Sequence, residues 1–201
     1  MTGEVSALQR HSENFASAEE QRSLGFWTYL MTDALIFALM FTTYAVMVSN
    51  TAGGPGPKEL YNIANAAAET AILLISSITF GFATISMLAG KEKQLLVWLT
   101  VTFVLGAAFL FLEIKEFTDM IALRAGPARS GFLSSFFTLV GTHGAHVATG
   151  MLWILILSVQ VVVKGLRPMV VSRLLRLGIF WHFLDIIWVG IFSVVYLPGV
   201  M

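Results

Sequence analysis

His143 and His146 lie three residues apart inside SGFLSSFFTLVGTHGAHVATG (Ser130 to Gly150), a run that contains no Asp, Glu, Lys or Arg. On a helix, residues at i and i+3 share a face. Two further doublets have the same spacing, Glu113/Glu116 and His182/Asp185, and Asp33 and Glu69 stand singly in apolar surroundings. Imidazoles and carboxylates that converge from facing helices could bind a metal or haem, or relay protons. The alternative is an interhelical hydrogen-bond cluster or a contact with lipid headgroups. A metal site in a helix bundle needs matched ligands, such as a Glu-x-x-His pair repeated on two helices, and these doublets do not match. A proton path needs a string of exchangeable groups, and Asp33 is the one acid that is clearly central.

The elements that must position these groups are membrane helices. Of the 201 residues, 57% are hydrophobic and 12% charged, against about 45–50% and 25% in a soluble domain. The formal net charge is zero, so no basic face points to nucleic acid. There is no cysteine, which excludes disulfides, thiolate metal sites and cysteine nucleophiles. The first 24 residues are polar and lack the apolar core and cleavage site of a signal peptide, so the first spanning helix is expected to direct insertion itself.

Crossing roughly 30 Å of hydrocarbon takes about 20 apolar residues, and five segments meet that length: about 25–49, 66–90, 94–124, 131–163 and 172–198. The chain therefore reads as all-α and polytopic: a polar segment over 1–24, then a five-helix transmembrane domain over 25–201. TAGGPGPKE (Thr51 to Glu59), Gly90 to Lys93, GPARSG (Gly126 to Gly131) and Lys164 to Pro168 break the helices. Such short connections favour antiparallel neighbours. From Glu113 to Arg124, apolar Ile114, Phe117, Met120 and Ile121 alternate with charges at helical spacing. This predicts one long helix that overruns the bilayer.

A cytoplasmic N-terminus places Arg10, Arg22, Lys91, Lys93, Lys164, Arg167, Arg173 and Arg176 inside, and Lys58, Lys115, Arg124 and Arg129 outside. That distribution favours a cytoplasmic N-terminus and a periplasmic C-terminus. At about 1.5 Å per residue, Asp33, His143 and His182 then fall near the midplane on three helices. A pairing of Asp33 with one of these histidines is expected, because a bare carboxylate at that depth is costly. Glu69, Glu113 and Glu116 read as interfacial. Trp27, Trp98, Trp153, Trp181 and Trp188 read as interface anchors or packing residues. Gly141, Gly144 and Gly150, with Ala145, Ala148 and Thr149, offer a small-residue face for close helix packing. The sequence contains no nucleophile with a base, phosphate loop or cofactor fingerprint.

SGFLSSFFTLVGTHGAHVATG followed by FWHFLDIIWVGIFSVVY (Phe180 to Tyr196) resembles subunit III of the haem–copper respiratory oxidases. GFWTYLMTDALIF (Gly25 to Phe37), ETAILLISSITFGFA (Glu69 to Ala83) and LEIKEF (Leu112 to Phe117) extend the likeness to about Leu24 to Gly199. Five spans and the TAGGP turn resemble the short form of the family found in bacterial cytochrome o-type ubiquinol oxidases. The resemblance implies a non-catalytic subunit of a proton-pumping complex that oxidises ubiquinol and reduces oxygen to water. It also implies a multi-pass protein of the bacterial inner membrane that supports assembly, stability and lipid binding. Haems and copper would belong to subunit I, with no cofactor or metal in this chain. Subunits I, II and IV and phospholipids would be its partners, and nucleic acid would not. By position, Asp33 matches a family acid that faces subunit I and is associated with sustained proton uptake; its side chain is one methylene shorter than the usual Glu. Glu69, Glu116, His143, His146, His182 and Asp185 match polar positions lining the bundle, several of them associated with phospholipid. The competing readings are subunit III of a cytochrome c oxidase, or an independent membrane haem or metal protein built on the histidines.

Overall fold

The computed structural model describes the backbone of residues 2–200 and the side chains of residues 20–199. The chain divides into two units, Met1–Ile36 and Phe37–Met201.

The first unit is helical throughout its described backbone, as part of α1 (Thr2–Met47). The polar start is thus continuous with the first membrane helix rather than separate from it. Its side chains through Glu19, with Arg10 among them, lie outside the described residues. Thr28 and Thr32 donate their hydroxyls to carbonyls one turn earlier, Leu24 at 3.0 Å and Thr28 at 3.0 Å. Each exposed hydroxyl is thereby satisfied by its own helix.

The second unit begins with residues 37–47 of α1 and continues through a single turn, α2 (Pro57–Leu60), and the long helices α3 (Ile63–Leu88), α4 (Glu92–Ala122), α5 (Gly131–Lys164) and α6 (Pro168–Ile191). A π-helical turn (Phe192–Tyr196) and α7 (Leu197–Val200) finish the described backbone. α3 packs on α4, α4 on α5, α5 on α6 and α6 back on α3, so four helices close a ring. Residues 89–91, 123–130 and 165–167 join consecutive members, as short antiparallel connections do. Among the described residues, five helices are long and apolar enough to cross a membrane.

The helix ends have local causes. Asn62 Oδ1 accepts the N–H groups of Ala64 (3.0 Å) and Asn65 (3.4 Å), which starts α3 at Ile63, ahead of the expected residue 66. Ser130 Oγ accepts Leu133 N–H at 3.2 Å and starts α5 at Gly131, as expected. Pro168 does more than close α5: it occupies the first turn of α6, where its fixed φ and missing N–H suit a helix start. The fifth span therefore begins at 168 rather than 172. Gly90 and Gly165 take φ of 70° and 68° at the turns that join α3 to α4 and α5 to α6, a conformation that only glycine adopts without steric cost.

α4 is one unbroken helix. Its buried seam runs Leu95, Leu99, Thr102, Gly106, Phe109, Glu113 and Met120, with the alternating spacing of three and four that keeps one stripe against a neighbour. Ile114 and Ile121 are exposed instead. They share the exposed face with Lys115 and Asp119, while Met120 is buried. Hydrocarbon accepts the isoleucines, while the carboxyl of Glu113 needs the protein interior.

Polar bonds tie the ring across its apolar core. Thr79 and Thr102 join α3 to α4 through their hydroxyls at 2.8 Å, and Trp181 Nε1 donates to Ser76 Oγ at 3.2 Å. Among the tryptophans, Trp181 and Trp188 are fully buried packing residues, whereas Trp27 is exposed. At the end of the bundle next to α2, Tyr61 packs its ring on Phe132, Phe136 and Tyr196, at centroid distances of 6.1, 5.1 and 5.0 Å, and its hydroxyl meets that of Tyr44 at 3.1 Å. Burial pushes the Tyr61 hydroxyl well above its ordinary value near 10.

Two predictions follow from these contacts. Ser76→Ala leaves the Trp181 N–H buried without its acceptor and should cost about 1 kcal/mol, read as a lower midpoint of thermal unfolding in detergent. A folded-state rise in a tyrosine's pKa gives stability that is complete below the unfolded value and lost as pH climbs past it. An alkaline titration of stability should therefore fall above about pH 10, and Tyr61→Phe should flatten that fall.

Candidate functional site

The candidate polar residues of the second unit sort into three groups. In the first, α3 supplies Glu69, α4 supplies Glu113 and Glu116, and the π-helical turn supplies Tyr196. Glu69 is 1% exposed and Glu113 3%, so the interfacial reading of these acids is corrected: both lie inside the bundle. The three carboxyls are near enough to interact electrostatically. Tyr196 O–H donates to Glu116 Oε2 at 2.7 Å. Neither oxygen of Glu69, nor Oε2 of Glu113, has a hydrogen-bond partner within the described chain. Glu113 lies directly over Gly144 of α5, where any Cβ would collide with the carboxylate. A Cβ at Gly150 would press on Trp181 at 3.1 Å, whereas one at Gly141 would meet Phe117 at an ordinary 3.6 Å. The small-residue face is thus divided: the glycines admit side chains of the bundle, whereas Ala145, Ala148 and Thr149 are exposed.

The second group is His143 and His146, one turn apart on α5. His143 is fully buried in an aromatic box formed by Trp188 (5.2 Å), Phe109 edge-on (5.7 Å) and Phe37 (6.4 Å). Neither ring nitrogen has a hydrogen-bond partner within the described chain. His146 is half-buried beside Phe37, and its Nδ1–H donates to the carbonyl of Thr142 at 2.7 Å. The two rings share a side of α5, as their spacing requires, but their surroundings differ.

The third group is on the outer face where α3 meets α6. His182 Nδ1 is 2.8 Å from Ser77 Oγ and 3.5 Å from Asp185 Oδ2. Asp185 is buried, while the His182 side chain is 46% exposed.

Asp33 belongs to the first unit. It is buried, and Tyr29, one turn earlier on α1, donates its hydroxyl to the carboxyl.

Among the described residues, no three side chains of His, Cys, Asp or Glu are placed to share a metal ion. Tyr196–Glu116 and Ser77–His182 join one element to another. Glu113, Tyr196 and Ser77 join the set without having been singled out as site residues. Glu113 was legible, because it continues the three-and-four spacing of the α4 seam. Tyr196 was not, because the π-helical turn that aims it at Glu116 has no sequence signature. Two variants probe the first group. Tyr196→Phe removes the one donor to Glu116 and should cost about 1 kcal/mol. Gly144→Ala forces Glu113 aside and should cost about 1–3 kcal/mol. Thermal inactivation of the purified protein in its membrane assembly reads both.

A family model described as cytochrome c oxidase subunit III matches residues 6–200. The chain is 53% identical over 177 residues to the cytochrome bo(3) ubiquinol oxidase subunit 3 of Pseudomonas aeruginosa, covering 88% of this chain and 85% of that one. It is 40% identical over 176 residues to the quinol oxidase subunit 3 of Bacillus subtilis, covering 88% and 86%. It is 38% identical over 198 residues to the cytochrome c oxidase subunit 3 of Bacillus sp. (strain PS3), covering 94% and 96%. Five apolar helices among the described residues accord with that match across nearly the whole sequence, and the chain belongs to the subunit III family of the haem–copper oxidases.

Proposed function

We propose that this chain is the non-catalytic subunit III of a bacterial terminal quinol oxidase, the complex that oxidises ubiquinol and reduces oxygen to water. The observation that carries this reading is the 53% identity, over 88% of the chain, to a subunit named for ubiquinol oxidation. The relative named for cytochrome c oxidation is more distant, at 38%. In this reading the chain lies in the inner membrane with its N-terminus cytoplasmic and its C-terminus periplasmic, in line with the excess of Lys and Arg at one end of the bundle. It packs against subunit I, which carries the haems and copper, beside subunits II and IV and phospholipids, and does no redox chemistry itself.

Its physical contribution is a rigid transmembrane surface. The ring of α3, α4, α5 and α6 keeps acids and histidines inside and presents isoleucine, leucine and valine outside. Asp33, Glu69, Glu116, His143, His146, His182 and Asp185 are polar positions for holding the helices together and meeting subunit I or lipid. Asp33 tests the link to subunit I: Asp33→Ala should weaken retention of this chain in the complex, whereas Asp33→Glu should preserve it.

The decisive experiment is gentle purification through a tag on this chain, followed by an optical spectrum and mass spectrometry. A co-purifying haem-bearing subunit, with this chain colourless once separated, is the expected result. Haem or metal retained by the isolated chain would overturn the reading.

A further inference from the structure

We propose that Glu69, Glu113 and Glu116 form a buried proton-holding site, which exchanges protons with water at the end of the bundle next to α2 through the hydroxyls of Tyr44, Tyr61 and Tyr196.

A proton reaches a buried carboxyl only along groups that can each give up one hydrogen and accept another, and a phenol does both. Tyr196, fully buried in the π-helical turn, donates its hydroxyl to Glu116 Oε2 at 2.7 Å. Its ring lies 5.0 Å from that of Tyr61, centroid to centroid. The Glu116 carboxyl acts electrostatically on Tyr61 as well as on Tyr196. The Tyr61 hydroxyl is in turn 3.1 Å from that of Tyr44, and either can be the donor. Beside Glu116, both oxygens of Glu69 and Oε2 of Glu113 have no hydrogen-bond partner among the described residues. A proton that arrives at Glu116 thus has further acceptors next to it.

The other end of the string opens. Tyr44 lines a pocket of about 430 Å³ together with Pro57, Lys58 and Gly199. Lys58 is exposed, so the pocket reaches the surface beside α2. Gly199 stands between this pocket and Tyr61: a Cβ there would come within 2.6 Å of the Tyr61 ring.

A concerted shift moves one proton inward and leaves no tyrosinate. A hydronium ion in the pocket gives a proton to Tyr44 and becomes water. Tyr44 passes its own hydrogen to Tyr61, Tyr61 to Tyr196 through one bridging water, and Tyr196 to Glu116. Each hydroxyl breaks one O–H bond and forms another.

Beyond the acids the string stops. On α3 the Thr70 hydroxyl is taken up by the carbonyl of Ala66 and the indole of Trp188. The next hydroxyl, Ser76, is about 10 Å past Glu69 and already bonds the Leu73 carbonyl and the Trp181 indole. On α4 the seam continues from Glu113 to Phe109 and Gly106. On α5 the nearest titratable group is His143, enclosed by Trp188, Phe109 and Phe37. Asp185 of α6 sits with His182 on the other face, and Lys115 and Asp119 of α4 are exposed. The site is reached from one side and stores a proton rather than carrying it across.

The test follows the buried carboxyls by infrared spectroscopy after a step in pH, in the intact complex purified through this chain. Their bands are the part of the signal lost in Glu69→Gln and Glu113→Gln. In the unaltered chain a downward step should convert carboxylate bands to carboxylic acid bands. Tyr44→Phe and Tyr61→Phe keep the rings and remove only the hydroxyls, and each should slow that conversion by about tenfold or more. Conversion at the unaltered rate in both tyrosine variants would overturn the proposal, as would a signal that neither Glu→Gln change diminishes.

Discussion

Hydrocarbon offers no hydrogen bonds, and the placement of the polar side chains in this protein follows from that constraint. Exposed threonines in the spans turn their hydroxyls onto carbonyls of their own helix, as Thr42, Thr43, Thr100 and Thr149 do at 2.8–2.9 Å. Groups that cannot be satisfied this way are carried into the ring of four helices. Glutamate, histidine and the indole N–H groups of Trp181 and Trp188 occupy positions that in a soluble bundle would be leucine. The lipid-facing positions that a soluble bundle would give to glutamate and lysine carry isoleucine and valine instead.

This inversion explains why the acids lie inside the bundle. Glu69, Glu113 and Glu116 come from two neighbouring helices, Tyr196 reaches them from the end of α6, and Gly144 leaves room for Glu113 against α5. All four helices of the ring meet at these groups. Tyr61 and Tyr44 continue the polar contacts to the connection between α1 and α3, where Gly199 makes space for the Tyr61 ring. The core of the second unit is thus a layer of aromatic rings with a polar patch inside it, and that patch helps to set which helices are neighbours. Packing of apolar surface alone discriminates poorly in lipid, because lipid is as apolar as leucine.

Much of this was legible in the chain itself. Five apolar runs between Gly- and Pro-rich breakers define five spanning helices, because the length needed to cross a bilayer is set by the rise of a helix. The cap residues Asn62 and Ser130 and the turn glycines Gly90 and Gly165 mark ends within a few residues. His143, His146, His182 and Asp185 stood out because polar residues are rare in such runs. Glu69 and Glu113 lie near helix ends, where an acid reads as interfacial, yet both are buried. In α4 the regular seam from Leu95 through Phe109 to Glu113 carries the opposite information, since a seam spaced by threes and fours stays on one side whatever residues it contains.

The sequence by itself determined what each helix must be, because helix length, capping and apolar content are local properties of consecutive residues. Only the tertiary structure decided where the polar residues go. Equal spacing puts His143 and His146 on one face and His182 and Asp185 on another, yet the ring buries His143 among aromatic rings and turns His182 outward beside Ser77. Spacing along a helix fixes which residues share a face. What that face meets depends on which helix packs beside it, and that choice is made by contacts between residues more than a hundred positions apart, as Ser76 and Trp181 are.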